Sequence, residues 1–146
     1  MVEKQGQATL SGANLAVLDT SIYIDNLRSG RFEEEILGLQ FVIRCSAVVL
    51  AELSRGARSR QMKTFVDDLA KNLRVIIPNE REWLESGLIV NRIATSTGYD
   101  VHKTREIHFD VLIALTARRI GATVITCNEA DFTAVRQFTN FNLICW

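Results

Sequence analysis

At 146 residues, 47% hydrophobic and 23% charged, the chain is sized for one globular domain with a core of its own. Its 17 basic side chains balance its 17 acidic ones, so no whole-molecule field exists to hold a polyanion, and any nucleic-acid contact must come from a local patch. No apolar run approaches the roughly 18 residues of a membrane span, and MVEKQGQATLSGAN lacks the apolar core of a secretory signal; the expected location is the cytoplasm, with no membrane partner.

Residues 1–13 read as a flexible lead and 14–146 as a single domain. Within it, 14–18 predicts a strand, 20–27 a helix broken by Ser29-Gly30, 32–37 a second helix and 41–44 a strand. Ser46 is placed to cap a helix that ends near Gly56, and another helix spans 60–72. A strand over 74–77 is stopped by Pro78. Asn79 then caps a long amphipathic helix with Trp83, Leu84 and Leu88 at helical spacing, closed by Gly98. The most apolar helix is expected at 110–120, followed by a strand at 122–126, a short helix from Asp131 and a last strand at 142–145. Alternating strands and helices predict a three-layer α/β/α domain around a central, mainly parallel sheet. Phe32, Phe41, Phe65 and Trp83 read as core or interface, and Trp146 as an exposed terminal residue available to an interface. Cys45, Cys127 and Cys145 form no CxxC or close Cys/His pair, which predicts buried thiols and no zinc site.

Ligands of open α/β sheets bind beyond the carboxyl ends of the strands, and four acidic residues sit at strand ends or first helical turns. Asp19 follows the first strand in LAVLDTSIYID; taken alone, it is better explained as an N-cap than as a catalytic group. Glu52 leans toward the apolar stripe of its helix, or else forms a surface pair with Arg55. Asp110 is expected to open the buried helix, where it would complement the helix dipole, and Asp131 to cap the helix that Phe132 begins. Together the four carboxylates would repel one another unless cations sat among them. Hard oxygen donors suit Mg²⁺ or Mn²⁺, which can activate water and neutralise a phosphodiester transition state.

The ordered set LAVLDTSIYID, VVLAELSRGA, HFDVLIALTARRIGATVITCNEADF and FNLIC resembles the PIN domain, and within it the VapC-type toxin ribonucleases of toxin–antitoxin pairs, over nearly the whole chain from Asn14. That resemblance implies an endoribonuclease that needs Mg²⁺ or Mn²⁺, cleaves RNA, forms a homodimer and is silenced by a small antitoxin. It makes Asp19, Glu52 and Asp110 the core acids, with Asp19 and Asp110 the main metal ligands. Asp131 or Asn128 stands at the fourth position, where many relatives carry Asp in place of Asn128. Thr20 or Ser21, and Thr126, fall where such domains carry a hydroxyl that steadies the metal shell. A second reading is a catalytically degenerate PIN-like domain that binds RNA or protein through the same pocket.

Arg55, Arg58, Arg60 and Lys63 in SRGARSRQMK form a local cationic patch that either holds RNA phosphates or is a solvated helix face. His102 and His108 lie six positions apart, share no helical face and are assigned no catalytic role; Asp100 reads as an exposed loop acid. A haloacid-dehalogenase-like phosphatase would need a second Asp two residues after the first, where Ser21 stands, and a receiver domain an adjacent acidic pair near its first strand.

Overall fold

The computed structural model describes residues 14–146, so the expected lead at 1–13 lies outside the described residues. In chain order the elements are β1 (Leu15–Leu18), α1 (Thr20–Ser29), α2 (Glu33–Leu37), β2 (Val42–Ser46), α3 (Ala47–Gly56), α4 (Arg60–Asn72), β3 (Val75–Ile76), α5 (Glu80–Thr97), α6 (Val101–Ile120), β4 (Thr123–Thr126), α7 (Glu129–Arg136) and β5 (Asn142–Cys145). The five strands form one sheet in the order β3-β2-β1-β4-β5, and every recorded pairing is parallel. Helices flank this sheet in the expected α/β/α layering. The chain leaves β1 toward β2 on one side and returns as β4 on the other, so the topological switch point falls between β1 and β4.

Local chemistry accounts for most boundaries. The Ser46 hydroxyl accepts from the Val48 amide and starts α3, as its position in the sequence predicts. Asn79 and Glu82 form a reciprocal capping box at the start of α5, and Gly98 ends that helix at φ 70°, a left-handed conformation that costs glycine little.

Two helices depart from expectation. Asp110 does not open a helix: α6 begins nine residues earlier, capped by Asp100, whose carboxylate accepts from the Lys103 amide. The first half of α6, VHKTREIHF, is too polar to show as an apolar run, yet it contains good helix formers and the i,i+4 pair His102–Glu106. Asp131 likewise is not a cap; α7 starts at Glu129 with Asn128 at the cap position, and Asp131 lies in the first turn.

The apolar residues expected on the inner face of α5 are turned outward as well. Leu84 and Leu88 are 68% and 69% exposed and Trp83 is 51% exposed, while Glu82, Ser86, Ile89, Val90 and Ile93 face inward. The two inward polar residues are tolerated because they are paired: Glu82 with Arg119 at 2.9 Å, and the Ser86 hydroxyl with His108 Nε2 at 2.8 Å.

In the core, Leu18, Ile22, Leu53, Ile93, Leu112, Ile113, Leu115, Ile125 and Phe132 are almost completely buried. Each contributes about 1.5–3 kcal/mol by leaving water. Of α6, every residue from Asp110 to Ala117 is buried, because that half packs against α3, α5, α7, β1 and β4. Phe32 is in the core, Phe41 and Phe65 pack at its margin, and Trp146 lies against the Phe32 ring with centroids 5.6 Å apart, so Trp146 is not the free terminal residue expected. Of the thiols only Cys45 is buried; Cys127 is half-buried and Cys145 exposed, because an edge strand leaves β5 residues open. No helix among the described residues is long and apolar enough to cross a membrane.

Candidate active site

Asp19 is the first residue past β1, and its backbone is still part of the sheet: its amide donates to the Ile125 carbonyl of β4 at 2.9 Å. It occupies the cap position of α1, but its carboxylate makes no cap hydrogen bond, which removes the structural role that best competed with chemistry. Asp19 Oδ2 instead accepts from the Ser21 hydroxyl at 2.8 Å and the Thr126 hydroxyl at 2.9 Å. Both hydroxyls are themselves oriented by amides, Ser21 Oγ accepting from Cys127 and Thr126 Oγ1 from Asn128. Two directed donors on one oxygen fix the carboxylate plane. Burial pushes the Asp19 carboxyl above its ordinary range despite these bonds.

Thr20, next in the chain, sends its hydroxyl to Glu52 Oε1 on α3 at 2.9 Å. One β1–α1 turn therefore positions two carboxylates through successive hydroxyls. Burial is the main influence raising the Glu52 carboxyl, with the Asp19 charge adding to it and Arg55 opposing it.

Asp110 is the third acid of the cluster. It is 8% exposed on a buried helix, and no group among the described residues donates a hydrogen bond to it. Burial pushes its carboxyl well above the ordinary range, and Asp19, Asp131 and Glu52 all raise it further. The fold thus brings the four acids identified in the sequence within electrostatic reach of one another, beyond the carboxyl ends of β1 and β4.

Asp131 differs because it has a counter-ion. Its Oδ2 accepts from Lys103 Nζ at 2.8 Å and from Asn128 Nδ2 at 2.9 Å, so Asn128 and Asp131, the two candidates for the fourth position, are joined directly. Lys103 was not singled out in the sequence. It stands seven residues before Asp110, two turns away on the same helical face, a relationship visible only once α6 is known to begin at Val101.

Of the cationic patch, two residues adjoin the site. The Arg55 guanidinium lies 5.3 Å from the centroid of Phe109, and Arg58 lines a hollow of about 450 Å³ together with Glu52, Ile24, Leu53 and Met62. Arg28 of α1 lines the same hollow, a second contributor the sequence did not single out. Arg60 lines an adjoining hollow with Phe65, and Lys63 is exposed on α4. His108 is engaged with Ser86 and His102 with Glu106, neither with an acid of the cluster.

The donor set is all hard oxygen, which suits Mg²⁺ or Mn²⁺. Among the described residues no three His, Cys, Asp or Glu side chains are placed to hold one ion together. That is compatible with Mg²⁺, which keeps several waters and takes one or two carboxylates. Asp110, a buried carboxylate to which nothing among the described residues donates, close enough to Asp19 to feel its charge, fits that demand.

A parallel α/β/α sandwich with an acidic cluster at its switch point narrows the class of domain considerably. A family model described as the PIN domain matches residues 16–137, and the chain belongs to the PIN domain family. Among solved structures, the chain is similar to VapBC-1 from nontypeable Haemophilus influenzae, at 24% identity over 90% of this chain and 98% of that one, with a TM-score of 0.66. It is similar to DNA-bound VapBC from Salmonella typhimurium, at 21% identity over 91% and 98% with a TM-score of 0.67. FitAcB from Neisseria gonorrhoeae aligns at 19% identity over 88% and 96% with a TM-score of 0.63. No curated protein matches.

Proposed function

We propose that this PIN domain is a Mg²⁺- or Mn²⁺-dependent endoribonuclease, the VapC-type toxin of a toxin–antitoxin pair. The observation that carries the reading is Asp110, a carboxylate with no hydrogen-bond donor among the described residues, pushed up by burial and further by three neighbouring acids. Such a group is costly to the fold unless a cation is its partner. Asp19 and Asp110 would hold the ion, which when bound supplies a Lewis acid for a phosphodiester and its attacking water. Glu52, held by the Thr20 hydroxyl, would orient that water and accept its proton; Ser21 and Thr126 hold Asp19 in one orientation. Asp131 completes the acidic pocket, and Asn128 holds it.

Arg55 and Arg58 adjoin Glu52 and would bind RNA phosphates, with Arg60 and Lys63 extending the patch. The VapBC names of the structural neighbours support a small antitoxin partner. The hollow beside Glu52, apolar along Ile24, Leu53 and Met62 and cationic at Arg28 and Arg58, would suit an antitoxin segment that carries both apolar and acidic residues. A homodimer acting in the cytoplasm belongs to the same reading. The degenerate, binding-only alternative leaves the buried Asp110 without a function.

The deciding experiment incubates purified protein with total cellular RNA in Mg²⁺ or Mn²⁺ against EDTA, alongside Asp19→Asn and Asp110→Asn. Cleavage that requires the metal and disappears in both folded variants supports the nuclease. Folded wild type as inert as the variants on every RNA class in the pool would overturn it in favour of binding.

A further inference from the structure

Lys103 is a half-buried cation at the acidic cluster that the nuclease reading does not use. Its ammonium is 2.8 Å from Asp131 Oδ2, and it stands two turns before Asp110 on the same face of α6. Lys103 therefore offsets the charge of one member of the cluster, Asp131. Its own position is well determined. The Asp100 carboxylate caps α6 on the Lys103 amide at 2.8 Å, the Tyr99 ring lies 5.8 Å from the ammonium, and Asn128 Nδ2 donates to the same acceptor oxygen at 2.9 Å. The aliphatic stem is largely covered, the side chain being 34% exposed.

Four clustered carboxylates could in principle bind two divalent ions, roughly 3.5–4 Å apart, as two-metal phosphodiester sites do. Here one of the four already has a covalently tethered cation. We propose that Lys103 takes the place of a second metal ion, so that each chain binds one divalent ion, on Asp19 and Asp110, and Asp131 serves to hold the lysine. The physical basis is local charge. A second divalent ion at Asp131 would have to approach a fixed ammonium and break a charge-assisted hydrogen bond in a partly desolvated site. The ammonium has three donors and spends one on Asp131, which leaves two for a non-bridging phosphate oxygen, the charge-neutralising work a second metal would otherwise do.

This inference rests on the acidic cluster being a metal site, and its test separates the two. Mn²⁺ bound per chain is counted by equilibrium dialysis and by loss of the free-ion electron paramagnetic resonance signal, for full-length wild type, Lys103→Gln, Lys103→Arg and Asp110→Asn, each checked for folding by circular dichroism. The expected result is one ion for wild type and Lys103→Arg, and two for Lys103→Gln with the broadened spectrum of a spin-coupled pair. Two ions in wild type, or one in Lys103→Gln, overturns the role of Lys103 and leaves the metal site standing. Wild type that binds no more Mn²⁺ than Asp110→Asn overturns the metal site, and the Lys103 inference with it.

Discussion

Thr126 donates its hydroxyl to Asp19 Oδ2 at 2.9 Å, joining the end of β4 to the end of β1 across 107 positions of sequence. The bond is buried and its acceptor carries charge, so removing it costs about 1.5–3 kcal/mol. Thr126→Val keeps the volume and loses the donor. At this chain length each kcal/mol lowers Tm by about 2–4 °C, and cleavage falls about 10- to 100-fold because Asp19 is no longer held in one plane. Thr126→Ser retains both. Melting curves and initial rates for the pair check this; a Val variant as active as Ser would show that Asp19 needs no such support.

Asp110→Asn is expected to abolish cleavage and yet raise the Tm of the metal-free protein at neutral pH by a few degrees. The folded-state carboxyl is raised above the unfolded value of 3.8, chiefly by burial. Its contribution to stability is complete below the unfolded value and is lost as pH rises through the folded one. Melting curves in EDTA should therefore show variant and wild type diverging from pH 4 toward neutrality and converging at the acid end. Saturating Mn²⁺ should close or reverse the gap. A variant less stable than wild type at neutral pH in EDTA would mean that Asp110 has a stabilising partner in the metal-free protein.

Arg55→Gln and Arg58→Gln should raise KM several-fold with kcat nearly unchanged, as expected for residues that hold phosphates and touch no reacting atom. Each lost phosphate contact lowers the slope of log affinity against log salt by about 0.7 for single-stranded RNA. Salt titrations of RNA binding by the Asp110→Asn protein, with and without each arginine, measure this without cleavage. An unchanged slope assigns the patch to solvent or to a protein partner.

Along α5, Ile93→Ala should cost about 2–5 kcal/mol, while Leu88→Ala should stay within about 0.5 kcal/mol. Ile93 is completely buried and Leu88 is 69% exposed. Denaturant unfolding of the two variants checks it, and a large loss for Leu88→Ala would restore the inward orientation that its spacing suggests.

Much of the molecule was determined by local chemistry and could be read from the chain. The Ser46 and Asn79 caps, the stop at Gly98, and the alternation of short β-branched runs with helices depend on neighbours within a few residues, and each stands where the sequence puts it. The four acids could be identified because strand ends of a parallel sheet share one edge. What required the tertiary structure is everything set by partners far apart in sequence. The start of α6 was hidden because its polar first half extends past the apolar core. The inward face of α5 was misjudged because Glu82 and Ser86 are buried against Arg119 and His108, which no periodicity can reveal. The same holds at the site itself. Asp19 could be a cap or a ligand until Thr126 arrived from β4, and Lys103 had no visible purpose until the fold set it against Asp131, because a charge acquires its role from the charges it meets and only packing decides which those are.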